Sequence, residues 1–154
     1  MPYTEDTEPE NLPGYLLRRC HQIAIGFFLD ECEEFDLTPI QFAVLNVLDR
    51  QGPQDQGTIG RAAALDRTTI AVVLKKLEER KLVIRASSLK DKRAKVVSIT
   101  KAGEQMIKKI TPSLLKAQSR MLEAFSESER KEFLRLLNIF ANHNNDLSRA
   151  PLIR

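Results

Sequence analysis

Apolar residues recur along most of this chain at the three- and four-residue spacing of amphipathic helices, and once the pattern changes to that of strands. Leu16, Leu17, Cys20, Ile23, Ala24, Phe27 and Phe28 share the apolar face of a first helix predicted over 13–34, a face that also takes in Glu31. A second helix is predicted over 39–50. Thr38 is its cap, Pro39 its first residue, and Gln41 completes a capping box. Ile40, Ala43, Val44, Val47 and Leu48 are expected inside, and Gln51-Gly52-Pro53 ends the helix. A short helix over 58–64, a turn at Leu65-Asp66 and a longer helix to Arg80 make a helix-turn-helix pattern. Asp66 is the cap of the longer helix, which buries Ile70, Val73, Leu74 and Leu77. No glycine follows Arg80 to supply the usual left-handed residue, so Lys81 carries that strain or the helix ends differently.

The change of pattern falls over 82–100. Leu82-Val83-Ile84 is rich in strand formers, and Val96-Val97-Ser98-Ile99-Thr100 alternates apolar and polar. Between them lies the polar octet Ser88-Leu89-Lys90-Asp91-Lys92-Arg93-Ala94-Lys95. The pair reads as a β-hairpin with a long basic tip. A projecting cationic finger adds surface and like charge without adding core. Directly after a helix, it gives the layout of a winged helix, which docks a helix in the DNA major groove and the wing alongside. Beyond it, Thr100 caps a long helix over 101–125, apolar at Met106, Ile107, Ile110, Leu114, Leu115, Ala117, Met121, Leu122 and Phe125, with a kink expected near Lys108-Lys109 from Pro112. A last helix over 129–145 follows Ser126-Glu127-Ser128, with Phe133, Leu134, Leu137, Phe140 and Ala141 expected inward.

The fold class read from this pattern is mainly α, a winged helix-turn-helix lobe with helical extensions. Residues 1–12 read as a loose acidic arm, 37–100 as the DNA-binding lobe, and 13–36 with 101–146 as a dimerisation region. The flanking helices carry more apolar surface than a lobe of about 65 residues can cover, which marks an interface between two copies. The competing reading packs them on each other within one subunit.

At 154 residues, 42% hydrophobic and 29% charged, the composition is that of an ordinary globular chain. No apolar run approaches the ~20 residues that span a bilayer. Residues 1–11 carry four acids and no base, unlike a signal peptide, so a cytoplasmic protein is expected, with no membrane partner. Net charge is only +3, but its distribution is polar. Residues 1–36 hold nine acids against Arg18 and Arg19, a net of −7, and 67–95 hold ten bases against three acids, a net of +7. Such a dipole directs a polyanion to one face. Nothing resembles a nucleophile with its base, a phosphate-cradling glycine loop or a zinc ligand spacing, so neither an enzyme nor a cofactor is expected. Cys20 and Cys32 lie ~18 Å apart on one helix and cannot bridge within it. Arg19 and His21 flank Cys20, which leaves a thiol redox sensor open as an alternative.

The organisation from about Gly14 to Asp146 resembles the MarR family of bacterial transcriptional regulators. The most specific match is Asp91-Lys92-Arg93-Ala94-Lys95-Val96-Val97-Ser98-Ile99-Thr100, the family's wing pattern. Leu65-Asp66-Arg67-Thr68-Thr69-Ile70, with Leu77-Glu78, Leu82-Val83 and Arg85, matches its recognition helix, and Leu37-Thr38-Pro39-Ile40-Gln41-Phe42 its second helix. The resemblance implies a homodimer on a pseudo-palindromic double-stranded operator, with Arg93 in the minor groove and Asp91 shaping the wing. Family members often carry Thr and Arg where Ala71 and Val72 stand here. Apolar side chains touch thymine methyls but make no bidentate bond to guanine. Base reading is therefore expected from Arg67, Thr68, Thr69, Lys75 and Lys76, with Lys90, Lys92 and Lys95 on the wing. The resemblance also implies a ligand-released repressor. Tyr15, Arg18, Arg19 and His21, lined by Phe27, Phe28 and Phe42, are candidates to hold a small aromatic carboxylate or its CoA thioester. Equally open is that Arg18 and Arg19 pair with Glu31, Glu33 or Glu34 of a partner subunit while His21 is a core residue.

Overall fold

Side-chain caps set where each α-helix after the first begins. In the computed structural model, which describes Thr4 and residues 7–87 and 95–152, α1 spans Pro13–Cys32, α2 Pro39–Gln51, α3 Gln56–Ala62 and α4 Arg67–Glu79. A hairpin of β1 (Val83–Ser87) and β2 (Lys95–Ile99) follows, then α5 (Lys101–Met121) and α6 (Glu127–His143). The Thr38 hydroxyl accepts from the Gln41 amide at 3.3 Å, and the Gln41 side chain accepts from the Thr38 amide at 2.9 Å. Thr100 accepts from Gly103 at 3.1 Å, and Ser126 with Glu129 forms a second capping box.

Three boundaries differ from expectation through capping chemistry. Helix α3 starts two residues early because Asp55 caps it, accepting from the Thr58 amide at 3.1 Å and the Thr58 hydroxyl at 2.6 Å. It also ends early, at Ala62, since Ala64 turns left-handed at φ 53° and lets Leu65 donate back to the Gly60 carbonyl at 2.8 Å. Helix α6 likewise starts at Glu127, because the cap is Ser126 itself. At the other end of the lobe, α1 gives way at Cys32 to a 3-10 turn, Glu33–Phe35.

One core joins α1 to α5 and the hairpin. Leu45 and Leu48 of α2, Ile59 of α3, Ile70, Leu74 and Leu77 of α4, Val83 and Val97 of the hairpin and Ile110 of α5 are buried together, with Phe28 and Cys32 closing it from α1. Truncating such a leucine to alanine costs about 2–5 kcal/mol. Ile40 lies off the buried arc of α2 and stays exposed, and Leu45 takes the inner place expected for it. The hairpin is antiparallel, with Val83 opposite Ile99 and Ser87 opposite Lys95. Gln54 adds a bridge to Val97 through bonds of 3.1 and 2.8 Å, which anchors the wing base to the loop after α2.

Helix α5 runs unbroken through Pro112 and packs along α1. The expectation that α6 turns its apolar residues inward is corrected. No residue of α6 is buried, and Leu134, Leu137 and Phe140 are exposed. Only Phe133 finds cover, its ring stacked 5.1 Å from that of Phe125. Among the described residues the chain offers α6 little opposing surface beyond Phe125.

Candidate nucleic-acid interface

The periodicity of α4 separates two faces. Ile70, Val73, Leu74 and Leu77 are buried, and the opposite ridge carries Thr68, Val72, Lys75 and Glu79 into solvent. Arg67 and Lys76 flank this ridge, also exposed. Lys75 reaches Glu79 at 4.0 Å, an exposed pair worth little to stability. The expected reading residues Arg67, Thr68, Lys75 and Lys76 therefore share one outward surface.

Thr69 differs from Thr68. Asp66 accepts from the amides of both threonines at 2.9 Å, and its second oxygen accepts from the Thr69 hydroxyl at 2.8 Å. The Thr69 amide and hydroxyl, followed by the Thr68 amide, hold the Asp66 carboxyl below the usual carboxylate range. The Thr69 hydroxyl proton is thus committed to the cap, and only its oxygen lone pairs face outward chemistry. Thr68 is exposed and its hydroxyl has no partner among the described residues.

The wing is placed by its base. Lys95 begins β2 and is exposed. Lys90, Asp91, Lys92 and Arg93 lie outside the described residues. Arg85 of β1 meets Glu78 of α4 at 3.4 Å, tying the strand to the recognition helix. Arg80, at the end of α4, donates to the carbonyls of Phe35, at 3.1 Å, and Asp36, tying the same helix to the turn that follows α1.

Two further cations join this face. A groove of about 680 Å³ at the start of α4 is lined by Arg61, Arg67 and Arg149, among others, with Asp66 between them. Arg149 arrives there because Asn145 exchanges hydrogen bonds of 2.9 and 3.1 Å with the backbone of Leu152, folding the C-terminal tail back onto the lobe. No periodicity announces this, because the tail has no regular pattern.

The seven candidate ligand residues fall into three places. Tyr15, Arg18, Arg19 and His21 lie on the first half of α1, where Arg18 sits 5.2 Å over the Tyr15 ring and donates to Gln22 at 3.4 Å. Arg18 and His21 share a face three residues apart, whereas Arg19 turns away by about 100°. His21 is exposed, not a core residue. Phe28 is buried with its ring 6.3 Å from that of Phe42, ten residues or ~15 Å along the helix from Arg18. Phe27 lies beneath the Arg120 guanidinium at 5.3 Å. A cavity of about 810 Å³ between the end of α1, the start of α2 and the end of α4 is lined by none of the seven. Glu31, a candidate partner for Arg18, is held by Lys116 at 2.9 Å and by Arg120 of its own chain. Cys20 is exposed, while Cys32 is buried and its thiol is pushed up by that burial and then by Glu31 and Glu34.

Residues 35–94 match the MarR family. The HTH-type transcriptional repressor NicR of Pseudomonas putida is 29% identical over 80% of this chain and 78% of its own. The HTH-type transcriptional regulator YwoH of Bacillus subtilis is 31% identical over 72% of this chain and 80% of its own. The solved structure of Bordetella bronchiseptica BpsR, whose DNA binding is regulated by 6-hydroxynicotinic acid, superposes with a TM-score of 0.82 at 26% identity, covering 87% of this chain and 96% of that one. With a helix-turn-helix, a two-stranded hairpin after it and relatives of this kind along most of its length, the chain belongs to the MarR family of helix-turn-helix transcriptional regulators.

Proposed function

We propose that this regulator is a cytoplasmic homodimeric repressor of a pseudo-palindromic operator, released by a small aromatic acid or its CoA thioester. The observation that carries DNA binding is the solvent face of α4. Arg67, Thr68, Lys75 and Lys76 stand together there, uncovered by the chain and beside a hairpin that begins its second strand with Lys95. A helix of this kind enters the major groove with its first turn nearest the base edges. The wing, with Lys90, Lys92 and Arg93 at its tip and Asp91 shaping it, then follows the adjacent minor groove. Arg61 and Arg149 extend the cationic surface toward the flanking phosphates. Residues 37–100 form the reading lobe, and 13–36 with 101–146 the dimerisation region, where the exposed apolar faces of α1 and α6 meet a second copy. This is the work of a binding protein rather than an enzyme.

The effector reading rests on the BpsR likeness and on the Arg18–His21 face of α1, where an anionic ring finds a guanidinium and an imidazole one helical turn apart. Tyr15 and Arg19 border that face. Phe27, Phe28 and Phe42 lie deeper along the helix. A ligand lowers DNA affinity only if it favours a dimer whose recognition helices are mis-spaced for successive grooves. A ~100-fold release needs a coupling of about 2.7 kcal/mol.

The test is an operator titration of wild type and Arg18→Ala against a panel of hydroxylated aromatic and heteroaromatic acids and their CoA thioesters. Wild type is expected to lose operator affinity with at least one compound, and Arg18→Ala to bind DNA normally but ignore it. An Arg18→Ala protein that responds like wild type refutes the site. A wild type that ignores the whole panel but releases DNA on mild oxidation establishes the thiol reading through exposed Cys20 instead.

A further inference from the structure

The outward ridge of α4 carries an apolar side chain at its centre. Val72 is 50% exposed, one turn beyond Thr68 and three residues before Lys75. It borders a shallow cleft of about 270 Å³ between α4 and the start of α2. The cleft's other outward apolar wall is Ile40, 41% exposed, and its remaining lining includes Thr68, Thr69 and Lys76. Two exposed β-branched apolar residues thus face one small opening on the surface that the helix presents to DNA.

We propose that Val72, with Ile40 across the cleft, is a thymine-methyl reader that sets the operator preference of this regulator. The inference rests on α4 being the recognition helix and adds which base it selects. In the major groove, thymine alone among the four bases projects a methyl group. A valine opposite it removes that methyl from water and forms no hydrogen bond. Cytosine at the same place has a hydrogen in place of the methyl, so the apolar contact is lost, and guanine or adenine turns its N7 acceptor toward a side chain that cannot donate to it. The position therefore selects thymine by an apolar contact that cytosine lacks, and rejects purines by an unpaired acceptor. Charged neighbours cannot provide this, because Lys75 and Lys76 serve phosphates or purine acceptors through mobile stems.

The experiment uses the full-length protein and an operator selected from random duplexes. Each thymine of the half-site is replaced in turn by deoxyuridine, which removes the methyl and nothing else. At one or two positions per half-site, wild type is expected to lose about fourfold in affinity, the loss of one buried methyl group. With both half-sites altered, the loss is expected to approach fifteenfold. Val72→Ser is expected to bind thymine and deoxyuridine duplexes alike at those positions, and Val72→Ala, whose single methyl reaches less far, to lose most of the difference. An unchanged urea midpoint shows that the variants are folded. A wild type indifferent to every deoxyuridine refutes the proposal, and so does a Val72→Ala protein with undiminished sensitivity. Failure of wild type to select any sequence over random DNA would instead overturn the recognition-helix reading beneath it.

Discussion

Lys81 holds a backbone conformation that suits glycine, at φ 59°. Its amide donates to Glu78 at 2.9 Å and the next amide, of Leu82, donates to Leu77 at 2.9 Å, which closes α4 in a left-handed C-terminal turn. Its carbonyl also accepts from the Thr100 hydroxyl at 2.8 Å, so the strained residue links the end of the recognition helix to the start of α5. A side chain in this region costs roughly 1–2 kcal/mol, and glycine gives part of that back as chain entropy in the unfolded state. Lys81→Gly is therefore expected to stabilise the protein by about 0.5–1 kcal/mol, read as a higher urea midpoint at unchanged m-value. An unchanged or lower midpoint would mean that the lysine stem packs well enough to offset the strain. The sequence already posed this choice, because the missing glycine after Arg80 is visible. The caps at Thr38, Asp66 and Thr100 were equally visible, since a short polar side chain ahead of an apolar stripe has one favourable use. Asp55 escaped because Gly57 and Thr58 after it look like loop and cap in their own right.

Between elements, the joint of α1 with α5 is electrostatic at its centre. Glu31 is nearly buried and accepts from Lys116 and Arg120, and Arg120 also binds Asp30 while lying over Phe27. The bonds from Lys116 and then Arg120 hold the Glu31 carboxyl below its ordinary value of 4.5. A carboxyl lowered on folding adds stability above its unfolded value, and the contribution is lost as pH falls through the folded one. Glu31→Gln is thus expected to lower the thermal midpoint at pH 7, with the gap from wild type closing below pH 4.5 as Glu31 protonates. A gap of constant size down to pH 3 would assign the loss to packing rather than charge. The apposition of α5 with the hairpin is steric instead. A Cβ on Gly103 would collide with the Leu82 carbonyl and stand 2.6 Å from Ile99 Cγ1. The helices and hairpin were legible because each has a strong period. The pairing of Gln54 with Val97 and the ion cluster at Glu31 were not, since they depend on which elements lie side by side.

At the scale of the molecule, the acidic stretch 1–36 and the basic stretch 67–95 are separated along the sequence, and in the fold the bases of α4 gather on one outward surface. The candidate DNA surface was legible in the sequence because helical period alone sorts Thr68 and Lys75 outward. The candidate effector set was not, because convergence of Arg18 with Phe28 or Phe42 needs a neighbour that the chain itself does not supply. The same reason explains α6, whose apolar period was right while its burial was not. Phe140 is 51% exposed and Leu137 38%, on a helix that touches little of its own chain. Such a stripe marks a contact surface, and a second copy of the chain is the occupant we propose for it. Phe140→Asp places a charge where that contact would desolvate it, at a cost of several kcal/mol per dimer. The variant is expected to sediment as a folded monomer, since no residue of α6 belongs to its core. Operator binding then falls steeply, because one recognition helix replaces two, while binding to random DNA persists. The salt dependence separates this from a damaged DNA surface. A wild-type dimer that neutralises six or more phosphates gives a log–log slope of about −5 or steeper, and the monomer about half of that. A Phe140→Asp protein that remains a dimer would show that α6 is not the interface. A wild-type slope near zero would remove the electrostatic basis for DNA binding altogether.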